Sequence, residues 1–156
     1  MPKLLLPVTH WTQPQRADCV AACAKMILDY IGQSVNYDRL LRLLRIDPEF
    51  GTVARNILRL SELGVDVLYT RGTVDDIRDH LANGRPCIAF VNTGELPYWN
   101  ESTGHAVVVV GIDEQNVYLN DPAFADAPKA VLHGDFLLAW MEVEEYYAVI
   151  RQRGGL

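Results

Sequence analysis

Residues 105–112, HAVVVVGI, form an apolar, β-branched run too hydrophobic to be an edge strand facing water. DEQN supplies a turn behind it, and VYLND resumes an extended pattern. The two segments read as a hairpin closed around DEQN. Asp121 then falls at the far end of the second strand, beside the start of the first, where His105 stands. Pro122 holds Asp121 extended.

The upstream half has a different period. Val20, Ala24, Ile27 and Ile31 recur at i, i+4, i+7 and i+11, flanked by Ala21 and Leu28. That is a core-facing helical stripe with Gly32 as its stop. VNYDRLLRLLRI predicts a second, shorter helix ended before Pro48. TVARNILRLSELG predicts a third, with Thr52 as cap and Gly64 as stop. TVDDIRDHLANG predicts a fourth, with Asp75 and Asp76 at its N-terminus, where negative charge is favourable. VDVLY, RPCIAFV and EYYAVIRQ read as strands, GDFLLAWME as a short helix, and residues 91–104 as a polar loop. Pro2, Pro7 and Pro14 keep residues 1–16 out of helix. Helices mostly precede the sheet, which predicts an α+β fold, with helices packed on an antiparallel sheet. No repeat, linker or low-complexity tract divides the chain, so residues 1–156 are expected to form one domain.

The length of 156 residues allows a sizeable core, and 49% hydrophobic with 22% charged residues fits an ordinary globular chain. The net charge of -6 argues against a nucleic-acid partner. No apolar run is long enough to span a bilayer, and the start of the chain does not read as a signal peptide. A cytoplasmic location is expected. The three cysteines, Cys19, Cys23 and Cys87, are too few and odd in number for a disulfide framework.

Cys19 follows Asp18, a residue type suited to capping, and would occupy the first position of the first helix. Unpaired N–H groups and the positive end of the helix dipole favour thiolate there. Helical geometry sets Cys19 roughly 100° from the centre of the apolar stripe, at its edge, where it can face a cleft. Free cysteines are also common small core residues, and each candidate taken singly has such a bland reading. His105 could be satisfied by a carbonyl and Asp121 could serve an Asp-Pro turn. Together, a helix-start Cys19, a strand-start His105 and a hairpin-partner Asp121 make the Cys-His-acid order of a thiol hydrolase.

TQPQRADCVAACAKMILDYIG, with GHAVVVVGID and VYLNDP downstream, resembles the papain-like bacteriocin-processing peptidases, the double-glycine leader peptidases, and their stand-alone relatives. The resemblance runs from about Leu6 to about Val149. It implies a papain-like fold, a cysteine peptidase activity, and Cys19, His105 and Asp121 as catalytic residues. It implies a glutamine lining the oxyanion hole. Gln13, six residues before Cys19, fits that place better than Gln15. Val20 stands where family members often have glycine. The alternatives are an acyltransferase or amidase using the same nucleophile, or a non-catalytic peptide-binding module of the same fold.

The expected partner is a peptide or protein substrate, with room for an unidentified protein partner. No cofactor is expected. Zinc at Cys19, Cys23, His105 and Asp121 lacks the paired CxxC spacing of structural sites. Tyr98, Trp99 and Gly104 precede His105 and are candidates for a substrate-binding wall or lid, or else an ordinary packed loop. Cys87, Trp140, Tyr146 and Tyr147 read as core, and His10, His80 and His133 as surface or loop residues. Gly154 and Gly155 copy the family's cleavage signal but read as a terminal tail.

Overall fold

A computed structural model describes residues 3–154, so Gly155 lies outside the described residues. The first helix, α1 (Cys19–Tyr30), buries Val20, Ala21, Ala24, Ile27 and Leu28 on the predicted stripe. A fully buried Ile or Leu contributes about 1.5–3 kcal/mol relative to an exposed one. Gly32, at φ +80, turns the chain out of the helix. The second helix, α2 (Tyr37–Leu43), starts where the Asn36 side chain accepts the Arg39 N–H at 3.2 Å. The third predicted helix is instead a 3-10 helix, Ala54–Leu63, preceded by Val53. Thr52 does not cap it, because its hydroxyl donates to the Leu44 carbonyl at 2.7 Å and accepts from Asn56. Thr73 and Asp76 form a reciprocal capping box at the head of α3 (Val74–Ala82). The last helix is α4 (His133–Met141).

Seven strands form one sheet. They are β1 (Leu4–Leu5), β2 (Val65–Arg71), β3 (Cys87–Asn92), β4 (Gly104–Ile112), β5 (Asn116–Asn120), β6 (Lys129–Leu132) and β7 (Tyr146–Gln152). The order is β2-β7-β3-β4-β5-β6, all antiparallel, with β1 also paired to β4. Sequence patterning did not disclose β6. Its four residues alternate only weakly between loop signals.

The β4–β5 hairpin closes as the sequence predicts. Asp113 Oδ1 accepts the N–H groups of Gln115 and Asn116 at 2.9 and 2.8 Å, which builds the turn. A bulge lies between Val109 and Gly111. At Gly111 an added Cβ would lie 2.5 Å from the Leu4 carbonyl oxygen, so glycine is what lets β1 approach β4.

Alternation along β4 feeds two cores, one on each face of the sheet. Ala106, Val108 and Val110 pack with α1 and α2, and Val107 and Val109 pack with α3 and α4. The helices and sheet thus form three layers. Among the described residues no helix is long and apolar enough to cross a membrane.

Candidate active site

The hairpin register places the first pair of candidate side chains. Asn120 pairs with Val108, so Asp121 continues past Val107 and its side chain falls on the same side as His105, two residues away. His105 Nε2 meets Asp121 Oδ1 at 2.7 Å. The pair is buried, with His105 8% exposed and Asp121 0%. Burial alone would pull the imidazole down, but its hydrogen bonds to Asp121 and to Cys19 outweigh that and raise it from 6.5 to about 9. Burial likewise opposes ionisation of Asp121. The His105 hydrogen bond and charge, with the Ala123 N–H and Trp99, hold the carboxyl below its ordinary value all the same.

Cys19 is the first residue of α1, half-buried and free of any disulfide. It lines the same cleft as His105. Because Nε2 is taken by Asp121, the ring nitrogen left for Cys19 is Nδ1. Asp18 precedes the helix, but its carboxylate does not cap it. Its backbone sits at φ -91, ψ 7, outside the extended geometry of a capping residue. The side chain turns inward, is 1% exposed, and accepts the Tyr37 hydroxyl at 3.0 Å.

The other two thiols are buried. Burial, followed by the neighbouring Cys19 and Asp121, pushes Cys23 well above 9.0. Burial also pushes Cys87 up to about 12.

Gln13 lines the cleft beside Cys19. Its Nε2 donates to the carbonyls of Gln15 and Arg16, both at 2.9 Å, while Oε1 is buried with no hydrogen-bond partner. The same N-terminal arm is sewn to the loop after β5. The Gln13 N–H donates to the Pro122 carbonyl at 2.8 Å, Asn120 Nδ2 donates to the Val8 carbonyl at 3.2 Å, and His10 Nε2 lies 2.6 Å from the Phe124 carbonyl.

Tyr98 and Trp99 both stand against the carboxylate of Asp121. The Tyr98 hydroxyl and Trp99 Nε1 both donate to Asp121 Oδ2, at 2.7 and 2.9 Å. Only the Trp99 side chain also borders the cleft, and its ring meets that of His105 edge-on at 4.9 Å. Gly104 borders the cleft, and a Cβ there would meet nothing within 4 Å.

The cleft holds about 740 Å³. Its apolar floor comes from three strands. Tyr69 of β2 stacks on Tyr146 of β7 at 4.9 Å and meets Phe90 of β3 edge-on at 5.8 Å. Tyr146 therefore borders the cleft while it also packs against the core, whereas Tyr147 and Trp140 are buried. Alternation in EYYAVIRQ separates the two tyrosines onto opposite faces, which was the available signal. The rim carries Phe50, 86% exposed, on a turn closed by the Asp47–Gly51 bridge. Arg16 and Glu101, three residues before Cys19 and four before His105, form an ion pair of 2.7 Å on the same cleft. His80 and His133 are both hydrogen-bonded away from the cleft, to Tyr147 and to the Asp113 carbonyl. Among the described residues no group of three or more His, Cys, Asp or Glu side chains is arranged to hold a metal.

Solved structures share this architecture. A candidate C39-like peptidase from Bacillus anthracis superposes with a TM-score of 0.80 at 17% identity, covering 96% of this chain and 98% of that one. The peptidase domain of Streptococcus ComA, a bifunctional ABC transporter of a quorum-sensing pathway, gives 0.75 at 17% identity, covering 92% and 98%. A double-glycine-motif protease from an AMS/PCAT transporter, solved with its leader peptide, gives 0.73 at 19% identity, covering 95% and 94%. These likenesses establish the papain-like fold of C39 peptidase domains. No curated protein matches the sequence. Residues 5–154 match the Peptidase_C39 like family, and with nearly the whole chain inside that match, the protein belongs to this family.

Proposed function

We propose that this chain is a cysteine peptidase that cleaves a peptide or protein substrate through Cys19, His105 and Asp121. The observation that carries the reading is the buried 2.7 Å contact of His105 Nε2 with Asp121 Oδ1, which leaves Nδ1 of the same ring to Cys19 at the head of α1. A raised imidazole favours the thiolate–imidazolium pair over the neutral pair. Membership of a peptidase family supports the assignment. The related double-glycine-motif protease holds a leader peptide, which supports a peptide substrate here.

In this mechanism His105 Nδ1 takes the Cys19 proton, and the thiolate attacks the scissile carbonyl carbon, forming a C–S bond. The negative charge moves to the carbonyl oxygen. The Cys19 backbone N–H, one of the unpaired donors at the start of α1, faces that charge. The Gln13 amide supplies the second donor, once substrate draws Nε2 away from one of the two carbonyls it now serves. Collapse breaks the C–N bond while His105 gives its proton to the leaving amine. Water, deprotonated by His105, then attacks the thioester, releases the acid and restores the thiol. Asp121 keeps the ring oriented throughout.

The test is the pH dependence of iodoacetamide alkylation at each cysteine, located by mass spectrometry. Cys19 is expected to react fast well below pH 8, with Cys23 and Cys87 protected, and His105→Ala is expected to abolish that reactivity. A Cys19 that behaves as an ordinary thiol with or without His105 rules the assignment out.

A further inference from the structure

The carboxylate of Asp121 is saturated. Oδ1 receives His105 Nε2 at 2.7 Å and the Ala123 N–H at 2.9 Å, and Oδ2 receives the Tyr98 hydroxyl at 2.7 Å and Trp99 Nε1 at 2.9 Å. We infer that Tyr98 and Trp99 are positioning residues for the reaction: they clamp Oδ2 so that Oδ1 alone orients His105 toward Cys19. The inference rests on the peptidase reading above.

A carboxylate accepts through about four lone-pair sites, and here four donors fill them. At 0% exposure no bulk water can replace a lost donor. A bare Oδ2 would be a buried, unsatisfied charge-bearing atom. Rotation of the carboxylate would relieve it by drawing Oδ1 off His105. The two donors at Oδ2 remove that option.

Both clamp residues are themselves held. The Tyr98 ring meets Phe124 edge-on at 5.2 Å, and Trp99 meets Phe124 at 5.3 Å and 89°. Lys129 Nζ lies 5.1 Å from the Tyr98 ring and 4.9 Å from that of Phe124, and is paired with Asp126 at 2.7 Å. Burial, then the Asp121 charge, pushes Tyr98 far up, so its hydroxyl stays a proton donor. Trp99 acts twice, because its N–H holds Asp121 while its ring bounds the imidazole. The groups facing the His105–Asp121 pair are Cys19, Cys23, Tyr98 and Trp99.

Tyr98→Phe and Trp99→Phe each remove one donor and keep an aromatic ring. The readout is the pH profile of Cys19 alkylation by iodoacetamide, a small neutral probe that needs no substrate pocket. A merely structural role would lower Tm without moving the profile. Each single variant is expected to slow alkylation at pH 6 by about threefold, since one donor remains on Oδ2. The double variant is expected to slow it about a hundredfold and to move the acid limb toward that of an ordinary thiol, far beyond the product of the singles. Circular dichroism and thermal melting check that each variant is folded. If the double variant does not fold, the single variants decide: a shifted acid limb in either supports the clamp. A folded double variant, or folded singles, with the wild-type profile overturns the clamp, provided His105→Ala still abolishes fast alkylation. If His105→Ala has no effect, the peptidase reading itself has failed.

Discussion

The backbone N–H of Gln13 donates to the carbonyl of Pro122 at 2.8 Å, so the arm that leads to Cys19 is fastened to the segment that carries Asp121. Cys19 and Asp121 are far apart in sequence and come from different layers. This bond and its neighbour from Asn120 to Val8 set the spacing between them without involving either side chain.

That fastening separates two roles for Gln13. The side chain of Gln13→Ala cannot reach an oxyanion, while the backbone bond to Pro122 survives. Peptide cleavage is expected to fall by about 10²-fold in kcat, the usual cost of one oxyanion donor. Alkylation of Cys19 by iodoacetamide builds no oxyanion and is expected to proceed at the wild-type rate. Parallel turnover and labelling assays check both.

Linkage through His105 makes stability depend on pH. Its folded value, about 9, lies above the unfolded 6.5. The stabilisation is therefore fully present below about pH 6.5 and lost as pH rises through about 9, amounting to at most ~3 kcal/mol. Asp121→Asn removes the carboxylate that raises the ring and is expected to flatten this slope. Urea melts from pH 6 to pH 10 measure it, and an equal slope in the variant would refute the assignment.

Gly111→Ala brings a methyl group to 2.5 Å from the Leu4 carbonyl oxygen. Either β1 leaves β4 or the bulge shifts, at about 1–3 kcal/mol. A lowered Tm is expected, together with faster amide exchange at Leu4, Leu5 and Leu6, whose strand pairing and N–H bond to Val110 depend on that approach.

Phe50 is 86% exposed on a rim turn and buries almost nothing. Phe50→Ser is expected to leave stability within about 0.5 kcal/mol of wild type. If the rim grips the substrate, KM rises while kcat holds, because uniform binding is lost and not transition-state binding. Titrating cleavage of a peptide library hit checks the split.

Much of the site could be read in the chain because short-range rules cover it. The turn residues after Ile112 and the β-branched run before it fix a hairpin, and a hairpin fixes who faces His105. The stripe through Val20, Ala24 and Ile27 fixes where α1 begins to bury, hence where Cys19 stands. Other parts depend on loop closure and leave no periodic trace. Tyr98 and Trp99 reach Asp121 only because Thr93 pins the loop, accepting the Thr103 N–H at 2.9 Å and donating to the Glu101 carbonyl at 2.7 Å. Asp18 is a capping residue by type, yet Tyr37 of another helix recruits it inward, a tertiary contact that outweighs local propensity. The 3-10 geometry of residues 54–63 keeps the amphipathic pattern of an α-helix, so hydrophobic spacing alone does not separate the two.

Cys19 rests against the core on one face of the sheet, and Tyr98 and Trp99 against the core on the other. The thiol and the two side chains that bind Asp121 are thus mounted on opposite sides of a single sheet. Under the proposed chemistry, the reactivity of one sulfur atom is a gauge of alignment between two separately packed layers. A substitution deep in either layer, remote from the cleft, is expected to register first as altered thiol chemistry, because a hydrogen-bonded pair tolerates less displacement than a hydrophobic contact does.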